Sequence, residues 1–126
     1  MKHSSVYALI VDDNPDDRFF LHRAVSSFPQ IEEVFTVGNP DTSADIIAKH
    51  YEQLRVAQVL LICDINLASQ SGLTHLADAK EVLPHANLIA ISGAGSLKDR
   101  HPAVDLFVEK DVNYRSLVTT LQELLK

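Results

Sequence analysis

Val59-Leu60-Leu61-Ile62-Cys63-Asp64 is an unbroken apolar run closed by a carboxylate. A strand with one wet face alternates apolar and polar residues. A strand covered on both faces does not, and such strands belong to parallel sheets. Val6-Tyr7-Ala8-Leu9-Ile10-Val11 repeats the pattern and runs into Asp12-Asp13. Shorter apolar runs follow at Val34–Val37, Leu88–Ile91 and Leu106–Val108. Between the runs, apolar residues recur at helical spacing. Phe20, Leu21, Ala24, Val25 and Phe28 form one set, and Ile46, Ile47, Tyr51 and Leu54 a second. Leu73, Leu76, Ala77, Lys80 and Leu83 form a third, and Leu117, Val118, Leu121, Leu124 and Leu125 the last. Strand alternating with helix predicts an α/β fold: a doubly wound, five-stranded parallel sheet with right-handed crossovers and helices on both faces.

Asn14-Pro15 reads as the cap and first residue of a helix, and Asn113 as the cap of the final one. Asp41–Leu54 predicts a long second helix. A fourth helix belongs in Gly93–Ala103, but Pro102 breaks it and Leu97 is its one clear apolar anchor. We expect it short or remodelled, with about one turn at most.

The 126 residues suit one domain, residues 1–126. At 46% apolar and 22% charged, the composition is that of a soluble globular chain. No apolar run is long enough to span a bilayer, and the first residues lack a signal-peptide core. The single Cys63 cannot form an internal disulfide, which predicts a reducing, cytoplasmic setting. A net charge of -6 with scattered lysine and arginine predicts neither a nucleic-acid nor a membrane partner.

Ligands in open α/β sheets sit outside the carboxyl ends of the strands. Asp12 and Asp13 follow the first run, Asp64 the third, Ser92 the fourth, and Lys110 the fifth, after Glu109. If these strands are near neighbours, carboxylates, a hydroxyl and an ammonium converge. Such carboxylates with backbone oxygens suit a hard cation such as Mg²⁺, and a lysine beside them suits a phosphate oxygen or a carboxylate. Asp16 and Asp17 read instead as acids favoured in a first helical turn, with Asp17 placed to reach back as a cap.

This set resembles the receiver domain of two-component response regulators. The matching residues are Asp12-Asp13, Asp64, Ser92 and Lys110. Gly72 stands eight residues past Asp64, and Phe107 three before Lys110, where the family keeps an aromatic switch. The likeness covers essentially the whole chain and implies a flavodoxin-like (βα)5 fold. It implies a phosphoacceptor signalling switch in a phosphorelay, with Asp64 taking a phosphoryl group from a histidine kinase or histidine phosphotransfer protein. Asp12, Asp13, Asp64 and the main-chain carbonyl of Asn66 would hold Mg²⁺. Lys110 would offset charge on the transferring group, Ser92 would bond a phosphoryl oxygen, and Phe107 would follow Ser92 inward. The output would be altered contacts with a downstream protein, with at most a weak homodimer. Such a protein is a self-phosphorylating acceptor with autodephosphorylation, not a turnover enzyme. Asn66 and Ala94 lie where the family tunes water access, and small Ala94 predicts a short phosphoryl lifetime.

The chain departs from the family in places. Ala68 stands four after Asp64, where proline is usual, and Lys110-Asp111 replaces Lys-Pro with its cis bond. A non-proline cis bond costs ~2.5–4 kcal/mol, so we expect a trans or strained cis bond and a less well aimed Lys110. The Lys110-Asp111 step and the short fourth helix favour the alternative, a pseudo-receiver that switches protein contacts without phosphate. The intact acids, Ser92 and Lys110 oppose it. Other rivals fail on residues. Asp12, Asn14 and Asp16 fit the start of a calcium-binding EF-hand loop, but Asp17 and Arg23 stand where its glycine and glutamate belong. Asn66 lacks the second acid of an aspartyl phosphatase of the haloacid-dehalogenase type. A flavodoxin-like cofactor binder needs a phosphate-cradling loop after the first strand, and the carboxylates there repel phosphate unless a metal intervenes. The six histidines show no metal spacing, and Cys63 reads as a small buried residue.

Overall fold

The structure is a computed structural model that describes residues 5–67, 71–93 and 102–126. β1 (Val6–Val11), β2 (Ile31–Val37), β3 (Gln58–Asp64), β4 (Asn87–Ser92) and β5 (Leu106–Glu109) pair in parallel in the order β2-β1-β3-β4-β5. The helices are α1 (Pro15–Ser26), α2 (Pro40–Lys49), the single turn α3 (Tyr51–Leu54), α4 (Gly72–Val82) and α5 (Arg115–Leu124). A 3-10 turn, Val112–Tyr114, precedes α5.

Two cores follow from the two-residue period of a strand. Val6, Ala8, Ile10, Leu60, Ile62, Ile89, Ile91 and Val108 pack on Leu21, Val25 and Phe28 from α1 and its end, and on Leu117, Leu121 and Leu125 from α5 and its end. Tyr7, Leu9, Val11, Val59, Leu61, Cys63, Leu88 and Ala90 pack the other way, on Ile47, Leu54, Leu76, Ala79 and Leu83. The unbroken apolar runs are therefore two interleaved faces, each with its own helical cover. Each fully buried large side chain here contributes ~1.5–3 kcal/mol.

Side chains set the helix starts. Asn14 Oδ1 accepts from the Asp16 and Asp17 amides at 2.9 and 3.0 Å, and Pro15 supplies the first helical residue. Asn39 Oδ1 accepts from the Thr42 amide at 2.8 Å ahead of α2. The Ser71 hydroxyl accepts from the Leu73 amide at 3.2 Å ahead of α4.

Several expectations are corrected. The long second helix is broken at His50 (φ -107°, ψ 19°), which leaves α2 and α3 as separate pieces. Asn113 does not cap α5: its φ of 58° is left-handed, and Asp111 accepts from the Ser116 amide and hydroxyl instead. Phe20 leaves the buried face of α1 and is exposed beside Phe19. The short or remodelled fourth helix lies outside the described residues, apart from a turn at Pro102 and Ala103. Ala68 and Ala94 lie outside them too.

Candidate functional site at the carboxyl edge of the sheet

Register brings the strand ends level. Val11 pairs with Cys63, Asp64 with Ile91, and Ser92 with Glu109. Asp12, Asp64 and Lys110 are thus neighbours at one edge. Backbone bonds hold them there: Asp12 N to Val37 O at 3.1 Å, Ile65 N to Ile91 O at 3.0 Å, and Lys110 N to Ser92 O at 2.7 Å. Asp12, Asp64 and Lys110 also share the parity of the residues that face α1 and α5. Ser92 and Phe107 share the opposite parity, and Phe107 packs half-buried against the other core.

The two buried acids are built alike. Asp12 Oδ1 accepts from the Asn14 amide at 2.9 Å, and Asp64 Oδ1 accepts from the Asn66 amide at 2.8 Å. Each acid therefore spends one oxygen on its own turn, as Asx residues do. The other oxygen of each faces Lys110, whose ammonium donates to Asp12 Oδ2 at 2.9 Å and to Asp64 Oδ2 at 3.0 Å. Exposed Asp13 completes an acidic group: one carboxylate oxygen each from Asp12, Asp13 and Asp64 lies within 4.8 Å of the others. Those hard oxygen donors fit a divalent cation of the Mg²⁺ kind. The Asn66 main chain also bridges to Ser71, which closes the loop after β3. The Ser92 hydroxyl is buried, with no hydrogen-bond partner among the described residues.

The ammonium has a third partner that sequence reasoning missed. Lys110 Nζ donates to Asp17 Oδ2 at 2.8 Å, and the Tyr114 hydroxyl donates to Asp17 Oδ1 at 3.0 Å. Asp17 therefore belongs to the site, and Asn14 does the capping expected of it. No cis peptide occurs among the described residues, so Lys110-Asp111 is trans. The lysine nonetheless reaches Asp64 at 3.0 Å, contrary to expectation, and bonds Asp12 and Asp17 as well. Arg18, also unremarked in the sequence, donates to the Asp12 carbonyl at 2.8 Å and ties α1 to the β1 end.

Charge and burial compete here. Burial pushes the Asp12 carboxyl above its ordinary value, against Lys110 and the Asn14 amide. Burial also raises Asp17, but the Lys110 bond, the Lys110 charge and the Tyr114 bond together hold it below the usual range. Burial lowers Lys110, and the bonds to Asp17, Asp12 and Asp64 more than reverse it, so the net shift is upward. Burial and the bond to Asp17 push the Tyr114 hydroxyl up to about 12. Burial, then the neighbouring Asp64, raises the Cys63 thiol, which keeps it protonated and unreactive.

Gly72 meets a steric demand of the same edge. A Cβ there would stand 2.1 Å from the Asp64 carbonyl oxygen, so only glycine lets α4 start this close to β3.

Comparison with solved structures assigns this architecture. The response regulator protein TrrA from Thermotoga maritima, solved with Mg²⁺-BeF, superposes with a TM-score of 0.75 at 23% identity, over 94% of this chain and 97% of that one. This chain has the receiver-domain fold. A CheY-like response regulator receiver domain from Methylobacillus flagellatus matches the fold at TM-score 0.73 and 21% identity, over 96% and 99% of the two chains. The signal receiver domain of an HD domain-containing protein from Pseudomonas fluorescens Pf-5 does so at 0.78 and 18%, over 99% and 90%. No family model matches the chain, and no curated protein matches it in sequence. No helix among the described residues is long and apolar enough to cross a membrane.

Proposed function

We propose that residues 1–126 form one receiver unit, a phosphoacceptor switch of a two-component phosphorelay. One observation carries this reading: the Lys110 ammonium bridges Asp12 and Asp64 beside an acidic group sized for one cation. In the proposed reaction an Asp64 oxygen attacks phosphorus of a phosphohistidine on a kinase or phosphotransfer protein. The P–O bond forms as the P–N bond breaks, and the imidazole leaves with the electron pair and takes a proton. The product is an acyl phosphate on Asp64.

Asp12, Asp13, Asp64 and the Asn66 carbonyl are the residues that would hold Mg²⁺. When bound, the cation offsets the negative charge of the carboxylates and the phosphoryl group. Lys110 gives up its bond to Asp64 and donates to a phosphoryl oxygen instead. The Ser92 hydroxyl, without a partner among the described residues, donates to another, and its burial means the bond forms out of water. Ser92 and Phe107 lie on neighbouring strands with the same parity, so a shift of the first repacks the second. That repacking would alter the surface offered to a downstream protein, in a cytoplasmic setting.

Incubation with acetyl phosphate and Mg²⁺, read by intact mass, tests the proposal. The expected result is one added phosphoryl group in the wild type and none in Asp64→Asn. No added mass in the wild type would leave the pseudo-receiver reading, a module that switches contacts without phosphate.

A further inference from the structure

The third bond of Lys110 points to a role that the acceptor chemistry does not use. The ammonium has three protons, and they go to Asp12, Asp17 and Asp64 at 2.9, 2.8 and 3.0 Å. In the reaction proposed above, Asp64 becomes an acyl phosphate and Asp12 would help hold the cation. Asp17 is the partner that neither event claims. It is held from behind by the Tyr114 hydroxyl at 3.0 Å.

Tyr114 reaches that position through an unusual backbone. Asn113 and Tyr114 are consecutive left-handed residues, with φ of 58° and 52°. Asparagine tolerates that region, whereas a bulky aromatic residue there is an outlier that costs free energy. The ring is buried in the α1–α5 core, so the turn is held by packing, and its product is the hydroxyl at Asp17.

We infer that Asp17 and Tyr114 form a positioning pair that keeps the Lys110 ammonium at the sheet edge while Asp12 and Asp64 are engaged in the reaction. This rests on the phosphoacceptor reading. Tyr114 acts through Asp17, and Asp17 acts through Lys110. The order of action sets the test.

Asp17→Asn, Tyr114→Phe and the pair together are made in the wild type and in a Lys110→Ala background, with folding checked by urea denaturation. Phosphorylation by acetyl phosphate should slow about tenfold in Asp17→Asn, since a charge-assisted bond becomes a neutral one. It should slow about threefold in Tyr114→Phe, which removes one neutral donor. The double variant should be no slower than Asp17→Asn, and neither change should matter once Lys110 is alanine. Full additivity, or an effect that survives without Lys110, overturns the inference.

A second readout needs no phosphate. In ¹³C-lysine NMR the two Hε protons of Lys110 should be inequivalent in the wild type and averaged in Asp17→Asn. If the wild type takes no phosphoryl group, the proposed function fails and this signal still decides. Averaging in Asp17→Asn supports the positioning pair, and retained inequivalence rejects it.

Discussion

Among the described residues two polar clusters are buried, and they differ in kind. At the carboxyl edge of the sheet, Lys110 sits among three carboxylates. Between α2 and α4, Ser43 Oγ and His75 Nε2 share one hydrogen bond at 2.7 Å. Ser43 and His75 are as buried as Asp12 and Asp64. The second cluster is neutral and satisfied, and it joins two helices. The first concentrates charge where charge is expensive, and buried ion pairs are weak evidence for stability. A neutral pair is explained by packing alone, whereas the charged set calls for chemistry.

The largest expected effect comes from emptying the charged cluster. Lys110→Ala leaves Asp12, Asp17 and Asp64 without their cation and should cost about 3 kcal/mol of unfolding free energy. Added Mg²⁺ should recover part of that loss, since a cation among the same carboxylates replaces the ammonium. Urea denaturation with Mg²⁺ or with a chelator measures both. A loss no larger than that of an ordinary surface substitution would mean the charges are already relieved, and the contrast between the clusters would collapse.

The neutral cluster should respond differently. His75→Ala opens a cavity and orphans the Ser43 hydroxyl, at about 2 kcal/mol. Ser43→Ala with His75→Leu removes both polar partners and should return to within about 1 kcal/mol of the wild type. A double variant as unstable as His75→Ala would give the pair a role beyond packing.

The smallest effect is one of pH. Burial holds the His75 imidazole below its ordinary value of 6.5, against Asp78 and Asp41. The unfolded chain therefore takes the proton first as pH falls. Stability from this group is full above about pH 6.5 and declines below it, until the folded state takes the proton too. Urea midpoints at about pH 7.5 and about pH 5.5 should separate for the wild type and separate less for His75→Gln. An unchanged separation would place the titration elsewhere.

Legibility in the sequence followed the same division. Asp12, Asp13, Asp64 and Lys110 were readable because each ends an apolar run, and strand ends of a parallel sheet share an edge. Asp17 was not. A first-turn acid is already explained by the helix dipole, and its true partners, Lys110 and Tyr114, are 93 and 97 positions away. Asn113 carries an ambiguous signal. A short polar side chain suits both a helix cap and a left-handed turn, and the backbone chose the turn. The break at His50 had no breaker residue to announce it, since neither proline nor glycine lies there.

The order of apolar and polar residues is enough to specify the kind of sheet and where its polar edge lies. Apolar runs without alternation must be covered on both sides, and whatever polar residues close them must gather at one end. Tertiary structure alone decided how the gathered charges are shared. An ammonium has three N–H directions, and which acids they meet depends on how the end of β5, one strand beyond β4, is set against the ends of β3 and β1 and against α1. Strand register and helix packing set that placement, and the acids themselves lie 46 to 98 positions from Lys110 in the chain.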